Sequence, residues 1–270
     1  MSRLKATLRK VLPLTVRSNL SAAKRAIVYL PDVSAWYLSA EARHSRERLR
    51  ALKDKHLGKR CFIIGNGPSL RKTDLSLVKN EVTFGLNRIY LLFDEIGFAT
   101  TYHVAVNKLV IEQCADEIAE LPCPKFIDWR ARNLIDLSSS MMFLCPRSSP
   151  GFYTDLVKGV WDGMTVTYVA MQIAYYLGFQ KVVLIGLDHS YATKGKPHTE
   201  LVSQGDDPNH FDTEYFGKGF RWQLPDLEAS ELAYRMAREQ FERTGREIVD
   251  ATIDGKLQVF RKIDYRELFA

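Results

Sequence analysis

The chain has 270 residues, of which 46% are apolar and 26% charged, and its four cysteines are scattered without a C-x-x-C pair. This length fits one large domain or one domain with an appendage, and the composition excludes a disordered chain, a collagen-like fibre and a disulfide scaffold. No apolar stretch approaches the roughly 20 residues of a bilayer-spanning helix, and the start does not resemble a signal peptide. We therefore predict a cytosolic protein with buried thiols.

The basic residues are concentrated at the amino-terminal end. Residues 1–60 hold 15 Lys and Arg against 4 Asp and Glu, so the rest of the chain is mildly acidic, which argues against nucleic-acid binding. Four apolar residues recur at helical spacing between basic side chains, namely Leu4, Leu8, Val11 and Leu12. We predict a basic helical arm over residues 1–57. It suits an anionic membrane surface, here the cytosolic face of the inner membrane, or else packs on the body or on a second subunit of a homo-oligomer.

The body, residues 58–270, alternates short apolar runs with amphipathic helices. The predicted strands are 61–64, 82–85, 102–106, 141–144, 182–186, a run around Ile248, and 257–260. The predicted helices are 166–177, closed by Gly178, and about 225–244. Such alternation indicates a mostly parallel sheet covered on both faces. We predict an α/β, Rossmann-like, mostly parallel sheet flanked by helices, with a lid over about 192–225 and the helical arm.

A glycine-containing turn follows the first predicted strand, where a parallel sheet binds its ligands. It contains Gly65, Asn66, Gly67 and Ser69. Two glycines would let backbone approach a ligand closely, and the amides that follow could accept a phosphate. The turn lacks the third glycine of the dinucleotide fingerprint and the G-K-[ST] ending of a P-loop. A tight turn without a ligand is the alternative.

Two further groups stand at comparable places. Asn87 ends the second strand and could bind a base or ribose edge, and Arg88 beside it could bind a phosphate. The alternative for Asn87 is a plain helix cap. Thr165 opens the helix at 166–177, and helix N-termini favour anions, although a plain cap is again the alternative.

Potential catalytic side chains crowd the end of the strand at 182–186. Asp188 and Tyr191 follow it directly, and His198 and His210 lie in the long segment 192–225. This segment is too polar for a core but rich in aromatic residues, which favours an ordered lid over a site.

Three blocks of this sequence resemble a known family. They are 65–70 (G-N-G-P-S-L), the strand-end Asn87, and 178–188 (G-F-Q-K-V-V-L-I-G-L-D). The blocks resemble the 6-hydroxymethylpterin diphosphokinase MptE-like domain, which also forms the centre of Maf flagellin-modifying proteins. They are more distantly similar to the bacterial sialyltransferases of glycosyltransferase family 42. The resemblance covers roughly residues 58–260 and leaves the basic arm outside.

The resemblance implies a nucleotide-dependent transferase. The nucleotide-binding residues that it implies are Gly65, Asn66, Gly67, Ser69, Asn87 and Thr165. Tyr191 would stabilise the leaving phosphate, Asp188 would orient or bind substrate, and His210, with His198 second, would be the general base. The favoured reaction moves a sugar from a CMP-activated donor to a surface-glycan or protein acceptor and requires no metal or other cofactor.

Two alternatives stay open. The first is pyrophosphoryl transfer from ATP to a 6-hydroxymethyl-dihydropterin, which would need Mg²⁺ held by carboxylates such as Asp188, Asp206 or Asp207. The second is a non-catalytic nucleotide-binding scaffold that the arm docks on a membrane.

Overall fold

The structure, a computed structural model, describes residues 27–270. The apolar and basic positions 4–12 of the predicted arm therefore lie outside the described residues. Within the described part, no helix combines the length and the apolar character needed to cross a bilayer.

The centre of the described chain is an eight-stranded sheet in which all neighbouring strands are parallel. Its strands are β1 (Arg60–Ile64), β2 (Thr83–Leu86), β3 (Tyr102–Ala105), β4 (Lys125–Asp128), β5 (Met141–Leu144), β6 (Lys181–Ile185), β9 (Glu247–Asp250) and β10 (Arg261–Lys262). A separate antiparallel hairpin is formed by β7 (Glu200–Val202) and β8 (Arg221–Gln223).

The strand order in the sheet is β10-β9-β6-β1-β2-β3-β4-β5. The chain runs outward from β1 to β5 and then returns to the other side of β1 to form β6. In the register, Ile63 of β1 lies between Phe84 of β2 and Leu184 of β6. Because the strand order reverses beside β1, the carboxyl ends of β1 and β6 flank the crevice in which such sheets bind ligands.

Helices cover both faces of the sheet. They are α1 (Ala40–Leu52), α2 (Phe93–Ile96), α3 (Lys108–Glu120), α4 (Val166–Tyr176) and α5 (Leu227–Arg243). Apolar residues bury the central strands on both faces, as a parallel sheet requires, and the predicted Rossmann-like α/β fold is confirmed. The four cysteines are buried and unpaired.

The carboxyl-terminal edge differs from the prediction. Residues 257–260 do not form a strand; Leu257, Val259 and Phe260 are buried in a loop beneath the sheet edge. The strand there is β10, whose two side chains are charged and exposed. The prediction of a strand at 257–260 was wrong because the apolar residues mark the packed loop, whereas the open edge carries charges.

The described part of the predicted arm packs on the body. Residues 27–38 are helical, and α1 follows after Ser39, which caps it by accepting a hydrogen bond from the Ala42 N–H. The α1 residues Ala42, Ser45 and Leu49 are buried in the core, and the Ser45 hydroxyl accepts a hydrogen bond from the Phe143 N–H of β5 at 3.1 Å. This helix therefore covers the β5 edge.

Candidate functional site

A cleft of about 630 Å³ opens along the carboxyl ends of β1, β2, β3 and β6. It lies at the point where the strand order reverses, and residues of the segment 192–225, which we call the lid, form another of its walls. Nine of the ten residues predicted for the site line this cleft, namely Gly65, Asn66, Gly67, Asn87, Thr165, Asp188, Tyr191, His198 and His210. The exception is Ser69, which lies buried beneath the turn. The structure thus brings together residues that are up to 145 positions apart in the sequence.

The two glycines after β1 lie where this turn crosses the turn after β6. A Cβ atom on Gly65 would overlap the carbonyl oxygen of Gly186, and one on Gly67 would overlap the carboxylate of Asp188. The space that their missing side chains leave is therefore filled by the neighbouring loop. The crossing of the two turns therefore requires glycine at both positions, and the predicted approach of a ligand to this backbone stays a prediction.

Asp188 and Ser69 hold the two turns together. The Asp188 carboxylate accepts hydrogen bonds from the Ser69 hydroxyl at 2.6 Å and from the Ser69 N–H at 3.1 Å. Asp188 lines the cleft, but both of its oxygens are engaged within the protein. The predicted role of Ser69 in nucleotide binding stays a prediction; its observed contact is with Asp188.

Two strand-end asparagines present amide oxygens at the cleft. Asn66 donates from Nδ2 to the carbonyl oxygen of Leu86 at 3.0 Å, which fixes the amide plane and leaves its buried Oδ1 without a partner. The buried Oδ1 of Asn87 also has no partner in the protein. Because buried polar atoms are nearly always hydrogen-bonded, these two oxygens indicate sites for hydrogen-bond donors of a ligand.

Three helices begin at the cleft. Their N-cap residues, Asn107 of α3, Thr165 of α4 and Asp226 of α5, all line it. The Thr165 hydroxyl accepts a hydrogen bond from the Thr167 N–H at 3.3 Å, so Thr165 is the plain cap that sequence reasoning allowed as the alternative. Its place at the cleft also keeps it available as a ligand contact. The positive ends of helices favour a negatively charged group here.

Backbone strain is concentrated around the cleft. Among residues 27–270, six residues other than glycine have positive φ angles, and four of these line the cleft: Asn87, Met164, His189 and His198. Such conformations cost energy and cluster at functional sites, where the surrounding structure holds them in place. This distribution supports the assignment of the cleft as the functional site.

His210 is the best-oriented histidine of the cleft. Its Nδ1 lies 2.7 Å from Oδ2 of Asp207, and the other oxygen of Asp207 accepts a hydrogen bond from the Asn209 N–H at 2.8 Å. The imidazole stacks on the ring of Tyr215 with the ring centroids 4.0 Å apart. Because Nδ1 is bonded to a carboxylate, the geometry fixes the tautomer with the proton on Nδ1 and leaves Nε2 as a proton acceptor.

The other predicted catalytic side chains differ in their environments. His198 is 55% exposed and lies 3.5 Å from the Asp226 carboxylate at the rim, which makes it the weaker candidate for the base. Tyr191 packs edge-on against His210, with ring centroids 6.2 Å apart. Burial raises the pKa of Tyr191, so its phenol remains a hydrogen-bond donor at neutral pH.

Arg88 does not face the cleft. Its guanidinium donates hydrogen bonds to the carbonyl oxygens of Glu214 and Tyr215 and lies over the Phe220 ring. The prediction that Arg88 binds a phosphate in this cleft was therefore wrong, because Arg88 does not line the cleft and its Nη1 is bonded to the lid backbone.

Sequence reasoning missed Asn107 and the role of Asp207. Asn107 follows β3 as Asn66 follows β1, and this repeated strand-end asparagine was a signal that could have been recognised. Asp207 stands three positions before His210 and had been considered only as a Mg²⁺ ligand. Between residues 27 and 270, no group of three or more His, Cys, Asp or Glu side chains is placed to hold a metal ion.

Comparisons with known proteins identify the family and a similar fold. Residues 39–194 match the family described as 6-hydroxymethylpterin diphosphokinase MptE-like, whereas no curated protein matches the sequence. The fold is similar to the Maf glycosyltransferase from Magnetospirillum magneticum AMB-1, at 13% identity and a TM-score of 0.51 over 83% of this chain. The chain spans only 38% of that protein. A mammalian sialyltransferase, solved in complex with Gal-beta-1-3GalNAc-ortho-nitrophenol, matches 84% of this chain and 86% of its own at 10% identity, and its TM-score of 0.37 supports no structural argument.

The family match extends over more than half of the chain and includes β1 to β6 together with the two turns that cross at the cleft. The family description names a diphosphokinase, which is a transferase, and it supports a transferase in the broad sense. The chain belongs to the 6-hydroxymethylpterin diphosphokinase MptE-like family.

Proposed function

We propose that the protein is a glycosyltransferase that moves a sugar from a CMP-activated donor to a hydroxyl of a surface glycan or a protein, in the cytosol. The observation that carries the proposal is the His210 imidazole, which is paired with the buried Asp207 and lines the same cleft as two asparagines with unpartnered amide oxygens. Glycosyl transfer needs a base for the acceptor and a nucleotide site for the donor, and these two features supply them.

The base in this proposal is Nε2 of His210. It takes the proton of the acceptor hydroxyl as the acceptor oxygen forms a bond to the anomeric carbon of the sugar. The Asp207 carboxylate holds Nδ1–H at 2.7 Å and stabilises the imidazolium that results. The bond from the anomeric carbon to the phosphate oxygen breaks, and CMP leaves with its electron pair.

The donor is bound by the turns at β1, β2 and α4. The amide oxygens of Asn66 and Asn87 would accept hydrogen bonds from the exocyclic amine of cytosine or from ribose hydroxyls. The start of α4 at Thr165 favours the phosphate, and Tyr191 donates a hydrogen bond to the phosphate oxygen that carries the departing charge. No metal ion is required in this scheme because the phenol and the helix dipole supply the stabilisation.

A panel of nucleotides tests the proposal by thermal stabilisation. CMP, CDP, ATP and GTP are each added with and without Mg²⁺, and the melting temperature is measured. We expect CMP or CDP to stabilise the protein without metal by about 2.7 kcal/mol at a concentration of roughly 100 times Kd. Asn87→Gly should weaken this stabilisation because it removes the amide oxygen that accepts from the nucleoside while tolerating the positive φ angle of this position. Asn80→Gly, at an exposed position outside the cleft, should leave the stabilisation intact.

The same panel distinguishes the second candidate, pyrophosphoryl transfer from ATP to a pterin alcohol, which the family description favours. The carboxylates considered for its Mg²⁺ are Asp188, which is bound to Ser69, Asp207, which is bound to His210, and Asp206, which is exposed. Stabilisation by ATP only when Mg²⁺ is present would overturn the glycosyltransferase proposal in favour of the diphosphokinase. No response to any nucleotide would favour the non-catalytic scaffold.

A further inference from the structure

The helix of residues 27–38 presents an apolar surface to solvent. Ile27, Val28, Leu30, Tyr37 and Leu38 are 51–80% exposed, which is almost half of the large exposed apolar side chains among the described residues. We call these five residues the outer face. Pro31 and Ser34 lie exposed between them, so this side of the helix carries no charged residue.

The opposite side of the helix anchors it to the body. Trp36 is fully buried and donates from its indole N–H to the carbonyl oxygen of Val157 at 3.0 Å. The indole of Trp129 donates to the carbonyl oxygen of Asp32 at 3.0 Å, and the Asp32 carboxylate pairs with Arg132 at 2.8 Å. One side of the helix therefore packs on the body. The outer face, on the other side, has no partner in the described chain.

We propose that the outer face docks on the surface of an anionic lipid bilayer. A surface helix with an exposed apolar side and basic flanks is typical of interfacial membrane binding. Residues 1–60 hold 15 Lys and Arg against 4 Asp and Glu. On α1, which continues the chain directly after the outer face, Arg43 and Arg50 are exposed, and Arg46 lies over the Tyr37 ring. The exposed charges of α1 include Glu41 and Glu47 as well, so the net basic charge comes from residues 1–26, which directly precede the outer face and hold 7 Lys and Arg and no Asp or Glu. This sequence charge complements anionic headgroups.

The helix that carries the outer face also contacts a residue of the cleft. The Tyr29 hydroxyl, on the same helix, accepts a hydrogen bond from Arg130 at 3.1 Å, and Arg130 is paired with Asp128 at 2.6 Å. Arg130 also lines the cleft. Tyr29 and Arg130 thus link this helix to the wall of the cleft.

Vesicle sedimentation with point variants tests the proposal. The full chain is mixed with vesicles of phosphatidylglycerol and phosphatidylcholine, or of phosphatidylcholine alone. We expect the wild type to bind only to the anionic vesicles. We expect the variant Ile27→Gln/Leu30→Gln/Leu38→Gln to bind these vesicles at least about tenfold more weakly. The matched control Leu57→Gln/Leu77→Gln/Leu232→Gln, which also removes three exposed apolar side chains, should bind as the wild type does. Deleting residues 1–55 would be a poorer test because it removes α1 from β5.

A second measurement does not depend on the stability of the triple variant. The four native cysteines are buried, so a Leu38→Cys protein can be labelled at one site with an environment-sensitive dye. Its emission should shift to the blue on anionic vesicles, whereas a dye on Leu57→Cys should not respond. Equal sedimentation of the triple variant and the wild type, or an unresponsive dye at position 38, would overturn the proposal. Light scattering tests a second copy of the chain as the occupant. If the wild type does not bind vesicles and the triple variant has half its molecular mass, the outer face contacts a second copy instead.

Discussion

At the scale of single residues, the bond between His210 and Asp207 defines the chemistry that we propose. We expect His210→Ala to lower kcat by about 10²–10⁴-fold, because the acceptor hydroxyl loses its base. Stabilisation by CMP should persist, since His210 belongs to the lid rather than to the turns at β1 and β2. The measurement is the initial rate of transfer beside the thermal shift with nucleotide.

His198→Ala is the matched control for this variant and should retain most of the activity, because His198 is exposed at the rim. The reverse pattern, in which His198→Ala is inactive and His210→Ala is active, would move the base to His198.

Asp207 is a positioning residue in this scheme. Asp207→Asn should lower kcat and leave the KM for the donor nearly unchanged, because an amide can donate to Nδ1 and favour the wrong tautomer. Asp207→Glu should recover part of the activity, since it restores the carboxylate at a slightly different distance. An equal loss in both variants, with a lower melting temperature in each, would indicate that Asp207 only stabilises the lid.

Gly67 gives a test of the crossing of the two turns. We expect Gly67→Ala to destabilise the fold by about 1–3 kcal/mol, because the new methyl group would overlap the Asp188 carboxylate. Gly67→Ala/Asp188→Ala should recover part of this loss, since the overlap is with a side chain. Gly65→Ala overlaps the backbone of Gly186 and should not be rescued by Asp188→Ala. Urea unfolding of Gly67→Ala, Gly65→Ala, Asp188→Ala and the two double variants measures the coupling, and additive losses for Gly67→Ala and Asp188→Ala would contradict this account.

Buried His103 should make the free energy of unfolding depend on pH. Burial in β3, together with the charge of Lys125, lowers the pKa of His103 from 6.5 to about 3. Below pH 6.5 the unfolded chain binds this proton while the folded chain does not, so its contribution to stability is lost as the pH falls, by up to about 1.4 kcal/mol per pH unit.

Urea unfolding between pH 7 and pH 4 should therefore show a shallower loss of stability for His103→Leu than for the wild type. His44→Leu, at an exposed position on α1, serves as the control and should follow the wild type. Parallel curves for His103→Leu and the wild type would show that other groups cause the acid sensitivity.

At the scale of elements, the sequence was informative wherever a strand or helix buries an uninterrupted apolar run. The strands β1, β2, β3, β5 and β6 were predicted on this basis, and the helices α4 and α5 from apolar residues that recur at helical spacing. By contrast, β4 was missed because it begins with Lys125 and ends with Asp128, two charged residues. Both are nevertheless buried, and Lys125 donates a hydrogen bond to the Ser140 hydroxyl at 2.8 Å. Such pairing is a tertiary feature that a single sequence does not reveal.

Two side chains of α3, Gln113 and Glu112, hold the lid hairpin at Arg221. The Gln113 side chain accepts a hydrogen bond from the Arg221 N–H at 2.8 Å and donates to the Arg221 carbonyl oxygen at 2.9 Å. Arg221 also pairs with Glu112 at 3.1 Å. We expect Gln113→Ala to speed amide exchange in β7 and β8 by more than about tenfold while the melting temperature changes little, because local opening becomes easier.

Gln258→Ala, which removes only a local bond to the Lys256 carbonyl oxygen, is the control for hydrogen exchange and should leave the hairpin protected. Unchanged exchange in Gln113→Ala would mean that the aromatic packing of the lid, rather than this side chain, fixes the hairpin.

At the scale of the whole molecule, the sequence predicted where the candidate site lies but not which side chains contact each other there. The rule that ligands bind at the carboxyl ends of parallel strands was sufficient to bring Asn66, Asn87 and His210 to one cleft. The partners of Asp207 and Arg88 could not be inferred, because the lid folds back through aromatic contacts that have no periodic pattern in the sequence. The interpretation of Asp207 and Arg88 was corrected for this reason.

The amino-terminal helices give a prediction about the folding unit. Removal of residues 1–39 should lower the melting temperature moderately, because it takes away Trp36 and its bond to Val157. Removal of residues 1–52 should be much more damaging, because it also uncovers β5 and frees the Phe143 N–H that Ser45 binds. Circular dichroism melts of both truncations compare the losses, and equal melting temperatures would show that α1 does not stabilise the sheet.

One backbone contact has a kinetic consequence for the proposed enzyme. The Phe211 N–H donates to the carbonyl oxygen of Asn66 at 2.9 Å, so the residue next to His210 is tied to the turn that would grip the nucleotide. Binding of the donor that fixes the position of Asn66 would therefore also fix the position of His210. The acceptor would then bind to a site in which the base is already in place. We expect compulsory order, with the nucleotide sugar entering first and CMP leaving last. Product inhibition by CMP should then be competitive against the donor alone, and random-order patterns would contradict it.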